Sequence, residues 1–91
     1  MTPHCRIYFD YFGYGEQDVI LCEVCGAKAV DIHHIRGRGK GRDVIGNLMA
    51  LCRLHHRAAH GLENTYLHKD VLQAIHNKVV NNFSGGGVSI S

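Results

Sequence analysis

Cys22 and Cys25 stand as C-x-x-C, and Cys52 and His55 repeat the spacing as C-x-x-H. Two-residue spacing lets a tight backbone turn aim both side chains of a pair at one ion, and four such ligands complete a tetrahedral zinc site. Thiolates favour zinc over hard cations such as magnesium. With every position filled by protein, that ion has no place for a substrate, so its work is structural. The competing reading, a redox C-x-x-C, needs a thioredoxin-like βαβ setting that a chain of this length cannot provide. Cys5, the cysteine left over, reads as a small buried apolar residue.

The 26 residues between Cys25 and Cys52 exceed the gap of about 15–20 in a zinc ribbon, so something else is folded inside the frame. Five of the eight histidines fall within residues 33–60. His56 and His60 are four apart in "RLHHRAAHG", so on a helix both rings share a face and can close on one ion. His33, from an extended segment opposite, can supply a third ligand. Three protein ligands with the rest of the sphere open is the pattern of a catalytic metal.

Short elements must position these groups. Thr2, Pro3 and Gly13 provide the N-cap, first-turn proline and closing glycine of a helix across "RIYFDYF". Its residues lean towards strand, but Ile7 with Tyr11 and Tyr8 with Phe12 form i, i+4 pairs that favour helix. "VILCEVCG" reads as a strand entering a knuckle that closes at Gly26. "AVDIHHI" and "NLMALC" read as the arms of a hairpin over residues 29–52, joined by a loop through "RGRGKGR". A helix follows from Arg53 to a stop at Gly61, and another spans Lys69 to Asn82, with Val71, Leu72, Ile75, Val79 and Phe83 as its core stripe. The expected whole is one small α+β domain over residues 1–83, with a flexible Gly/Ser tail at 84–91.

At 91 residues an apolar core alone gives little net stability, which makes a metal staple expected. No leader and no apolar run of membrane-spanning length is evident. A soluble intracellular protein is therefore expected, its cysteines kept as thiols or metal ligands. The net charge of +2 conceals an uneven distribution. Arg36, Arg38, Lys40, Arg42, Arg53 and Arg57 face only Asp43 within residues 33–61, whereas residues 1–32 hold two bases against five acids. A basic patch placed among the histidines is the footprint of a phosphate-backbone binder.

Taken in order, "CEVCG", "DIHHI", a glycine-rich loop, "NLMALC" and "HHRAAH" resemble the HNH endonucleases, also called ββα-metal or His-Me finger nucleases. The resemblance covers Cys22 to Gly61. It implies a ββα-metal motif, a long-looped hairpin plus helix inside the zinc frame, flanked by an N-terminal and a C-terminal helix. Position by position, His33 takes the place of the first catalytic metal ligand, His34 of the general base, Asn47 of the middle residue and His56 of the last. His60 matches the added histidine of the branch that reads H-x-x-x-H. Two departures stand out. The second knuckle ends in His55 rather than cysteine, which makes adjacent His55 and His56 rivals for the two ions. The all-imidazole shell lacks the common aspartate and suits zinc, nickel or manganese better than magnesium.

The implied chemistry is hydrolysis of DNA phosphodiester bonds at one divalent metal, as nicking or double-strand cleavage, in a bacterial or phage-infected cell. A neutral histidine can take a water's proton near neutral pH because its ordinary pKa is about 6.5. A regular strand would send His33 and His34 to opposite faces, so a bend is expected between them, held by Asn47 across the hairpin. Arg36, Arg38, Lys40, Arg42, Arg53 and Arg57 would grip flanking phosphates. No base-reading helix is evident, so sequence preference would come from a protein partner or a homodimer. A zinc-stapled nucleic-acid-binding module without activity is the alternative.

Overall fold

The structure, a computed structural model, describes residues 2–15, 17–61 and 66–86. Helix α1 spans Pro3–Phe12, strand β1 Asp31–His34, strand β2 Leu48–Leu51, helix α2 Arg53–Ala59 and helix α3 Lys69–Gly86, with a single 3₁₀ turn at Ile45–Asn47 leading into β2. Among the described residues no helix is long and apolar enough to cross a membrane.

Helix wins over strand in the aromatic N-terminal run. Pro3 occupies the first turn and Gly13, at φ 74°, ends the helix in the left-handed conformation that glycine adopts without strain. The Tyr8 and Phe12 rings pair at 4.7 Å, as the spacing anticipates. Thr2 is extended at the N-cap but makes no side-chain capping bond. The buried residues of α1 are His4 and Tyr8.

The segment ahead of the first knuckle is less regular than the expected strand. It makes a single bridge, Leu21 opposite Lys28, and the chain then turns tightly, with Cys22 N–H donating to Ala27 O and Gly26 N–H to Cys22 O. The hairpin itself is as expected, shorter in strict pairing: β1 and β2 are antiparallel with Asp31 opposite Leu51, His33 opposite Met49 and His34 opposite Leu48. Val30 N–H to Leu51 O and Ile35 N–H to Asn47 O extend it at both ends.

No bend separates His33 from His34. Both pair within β1, and no residue other than glycine has a positive φ among those described. The ladder holds the backbone straight, because breaking it there would leave buried peptide groups without partners. The chain turns one step later, after Ile35, where Gly37 adopts φ 91°.

All four residues of β2 are buried, and their alternation feeds two cores. Met49 and Leu51 pack with Cys22, Ile35, Cys52 and Leu72 on the side of the knuckles and α3. Leu48 and Ala50 pack with Ile32 and Tyr8 on the side of α1. Helix α3 continues past Asn82 to Gly86, so the expected tail begins inside it, and residues 87–91 lie outside the described residues. Its stripe is also corrected. Leu72 is buried and Ile75 packs at the core margin, but Val71 and Phe83 are 49% and 43% exposed, and the fully buried residue is His76. Phe83 instead meets the Tyr11 and Phe12 rings of α1.

Candidate metal centre and catalytic cleft

Cys22, Cys25, Cys52 and His55 converge with their ligand atoms all within 4.8 Å of one another. Cys25 Sγ lies 3.7 Å from Cys52 Sγ, and His55 Nδ1 lies 3.7 Å from Cys22 Sγ and 3.2 Å from Cys52 Sγ. Zinc bonds of about 2.3 Å to sulfur and about 2.0–2.1 Å to nitrogen give tetrahedral edges of roughly 3.8 Å and 3.6 Å, so the residues fit that ion. None of the four cysteines is in a disulfide. Burial raises the Cys22 thiol, but the backbone amides of Cys52, Cys25 and Val24 outweigh it and hold the group below its ordinary value, towards the thiolate that binds metal. Cys5 is not among these ligands; it is partly buried against the α1 core, as an apolar residue would be.

His33, His56 and His60 form the second cluster. Cys52 caps α2, so the helix starts at one knuckle and carries His55 and His56 on successive positions, one to each cluster. Rotation of about 100° per residue separates them, which resolves the rivalry the sequence leaves open. His60 closes the helix as its C-cap, and its Nε2 lies 3.2 Å from His56 Nε2. Two nitrogens bound to one ion at about 2.0–2.1 Å would stand roughly 2.9–3.4 Å apart, so this pair also fits. The His33 ring meets the other two at 5.4 and 5.2 Å between centroids. Burial first, and then the neighbouring His56 and His60, push His33 down to about 4, which keeps it neutral and ligand-ready at physiological pH. Asp31, one pleat before His33, places Oδ2 3.2 Å from His56 Nε2; the sequence reading passed over it.

A cleft of about 160 Å³ is lined by Asp31, Ile32, His33, His34, Arg38, His56 and His60. Four consecutive residues of one strand can line a single cleft only along the strand's open edge, and among the described residues β1 pairs only with β2. His33 and His34 therefore reach it from opposite faces, around that edge. His34 is 7% exposed, and its Nε2 lies 2.7 Å from Asp43 Oδ1. Its ring packs at 4.5 Å on His4 from α1. Burial, then His34 and Arg38, lower the pKa of His4.

Asn47 is buried, and its described side-chain hydrogen bonds go to loop backbone rather than to His34. Its Oδ1 accepts from Arg36 N–H at 2.8 Å, and its Nδ2 donates to Gly37 O at 3.2 Å and Arg42 O at 2.9 Å. It ties both ends of the glycine-rich loop to the hairpin. Of the basic residues, Arg38 lines the cleft. Arg36 bonds Asp70 and Gln73 of α3, and Arg42 bonds Arg36 O, so both guanidinium groups hold the protein together. Lys40, Arg53 and Arg57 lie exposed, Lys40 on the loop and the two arginines on α2.

A third group was not anticipated. Glu23, between the knuckle cysteines, accepts from Tyr8 Oη at 2.5 Å and meets His76 Nδ1 at 2.7 Å, while His76 Nε2 faces Ile45 O. Both ring nitrogens of His76 thus face acceptors, which only the imidazolium satisfies. Burial opposes that charge, and Glu23 together with the Ile45 carbonyl overcomes it, raising the pKa. The signal available in the sequence was His76 at i+4 from Leu72, a polar residue on the buried stripe.

A two-stranded hairpin followed by a short helix, with a histidine triad at the strand's open edge, is a ββα-metal arrangement. The HNH endonuclease family model matches residues 22–62 of the chain. The match supports a nuclease-type hydrolase at the level of that family, whose members act on DNA with a divalent metal. No curated protein and no solved structure matches the chain.

Proposed function

We propose that the protein is a metal-dependent DNA endonuclease in which His33, His56 and His60 hold the catalytic ion, His34 is the general base, and Cys22, Cys25, Cys52 and His55 hold a structural zinc. The observation that carries this reading is the meeting of the triad, His34 and Arg38 at one cleft, apart from a second cluster with four candidate ligands. A divalent ion in the triad would act as a Lewis acid on the scissile phosphate and its leaving oxygen. His34 takes a proton from water, the water oxygen bonds to phosphorus, and the bond to the 3′ oxygen breaks; that oxygen takes a proton from solvent, leaving 5′-phosphate and 3′-hydroxyl ends. Arg38 binds a non-bridging oxygen at the cleft, and Lys40, Arg53 and Arg57 meet flanking phosphates.

One site cuts one strand, so a monomer nicks. A partner protein or a second copy would supply sequence preference, since no base-reading helix is evident among the described residues. A reducing cytoplasm is the compartment this reading assigns to it, supported by three unpaired cysteines within one ligand set.

The test uses metal-stripped protein reloaded with one equivalent of zinc and incubated with supercoiled plasmid plus Mg, Mn, Ni or Zn. Nicking is expected with at least one ion, and His34→Ala should lower its rate by about 10²–10⁴-fold. Plasmid left supercoiled with every ion would turn the reading to a zinc-stabilised binding module. Undiminished nicking by the variant would remove His34 from the mechanism.

A further inference from the structure

The base draws its support from residues outside the histidine triad. The His34 side chain is 5% exposed, and Nε2 meets Asp43 Oδ1 at 2.7 Å. An ionised carboxylate only accepts hydrogen bonds, so Nε2 carries the proton and the lone pair of the neutral ring sits on Nδ1. The His4 ring packs against the His34 ring, 4.5 Å away between centroids and tilted by 53°. His4 belongs to α1, which lies outside the matched residues 22–62.

Asp43 is itself placed by Asn47. Arg42 O accepts from Asn47 Nδ2 at 2.9 Å, and Val44 O accepts from Asn47 N–H at 2.9 Å, so the backbone on each side of Asp43 is fixed by the same residue. The Asp43 side chain is 49% exposed. Burial does not force it onto the imidazole; the bracketed backbone aims it there.

We propose that Asp43 is a positioning residue that holds His34 as its Nε2–H tautomer, so that Nδ1 presents its lone pair to a water in the cleft, with His4 fixing the plane of the ring. The carboxylate would also stabilise the imidazolium that forms when Nδ1 takes the proton, as the buried aspartate does in a Ser-His-Asp triad. Asn47 then acts on the base at one remove, through the direction of Asp43. The proposal rests on the nuclease reading for its consequence in rate, but the tautomer it assigns is a property of the protein without substrate.

The experiment compares wild type with Asp43→Ala and the near-isosteric Asp43→Asn as zinc-loaded proteins. Imidazole ¹⁵N NMR at one fixed pH, with His34 assigned from the spectrum of His34→Ala, should show the Nε2–H tautomer in wild type and its loss or mixing in Asp43→Ala. Plasmid nicking by Asp43→Ala should fall in kcat by about 10–100-fold with KM unchanged. Asp43→Asn keeps an oxygen acceptor and should fall between the two. Binding of Mn²⁺ to the triad should not change, because Asp43 is not among the cleft's ligand cluster. An unchanged tautomer in both variants, or an unchanged kcat in Asp43→Ala, would overturn the assignment. Wild type inactive with every metal would overturn the nuclease reading alone, and the NMR comparison would still decide the part played by Asp43.

Discussion

Asn47 makes more of its side chain than any other residue of the hairpin, with all three of its described side-chain bonds going to backbone groups of residues 36–42. Asn47→Ala leaves the Arg36 amide without a partner, and each buried polar group so orphaned costs about 1–3 kcal/mol. A melting-temperature drop together with loss of cleavage is therefore expected, whereas His34→Ala should melt close to wild type. Equal melts for the two would show that Asn47 does not hold the loop. The buried His76–Glu23 pair gives a second prediction. His76 has its pKa raised by folding, so its stabilisation is full below about pH 6.5 and is lost as pH rises through the folded value. His76→Gln should cost about 3–5 kcal/mol at pH 6 and flatten the alkaline decline. Urea melts at several pH values with parallel slopes in both proteins would refute it. The two Cys/His clusters could be grouped from the sequence because most of their members sit at short local spacings, 22/25, 52/55 and 56/60. Asp43, His4 and Glu23 were not legible there, since each meets its partner only after a loop or a separate helix has folded against the hairpin.

Helix α2 serves two sites within nine residues, from Cys52 at its N-cap to His60 at its C-cap. Its seven helical residues are too few to be stable alone, so the knuckle that anchors Cys52 and His55 also sets the direction of His56. Cys22→Ser should therefore unfold the domain or lower its melting temperature severely, and carry the triad's Mn²⁺ affinity down with it. A variant that keeps its melting temperature would refute the structural role of this ion. The hairpin and α2 were readable as elements because alternation and ligand spacing agree there. The core stripe of α3 was read correctly at Leu72 and Ile75 but not at Val71 and Phe83: a residue's apolarity does not say which face is covered, and the buried positions are Leu72 and His76. The bend expected between His33 and His34 failed for a related reason, since the ladder to β2 outweighs the demands of one site.

Across the whole molecule, charge is divided as the sequence indicates, but only part of the basic segment is available to a ligand. Arg36 and Arg42 join the loop to α3 and to itself, while Arg38 faces the cleft. Arg38→Ala should weaken DNA binding about equally across sequences and reduce the slope of log affinity against log salt by roughly 1. Fluorescence anisotropy between low and moderate salt measures this, and an unaltered slope would remove Arg38 from the phosphate contacts. Helices α1 and α3, both outside the matched residues, brace the hairpin from its two faces. Neither contribution was legible, because the residues that make it, His4, Tyr8, Asp70 and His76, lie far in sequence from the groups they support.

The straight strand through His33 and His34 has a consequence for how such a protein can fail. One histidine belongs to the face packed with the knuckles, the other to the face packed with α1. Damage confined to the α1 face would leave a domain that still loads metal and still grips DNA, yet no longer cuts. Damage on the knuckle face would release the ion first. Cleavage is thus reported only when both halves are intact, so its loss arrives by two distinguishable routes, one silent in metal content and one announced by it.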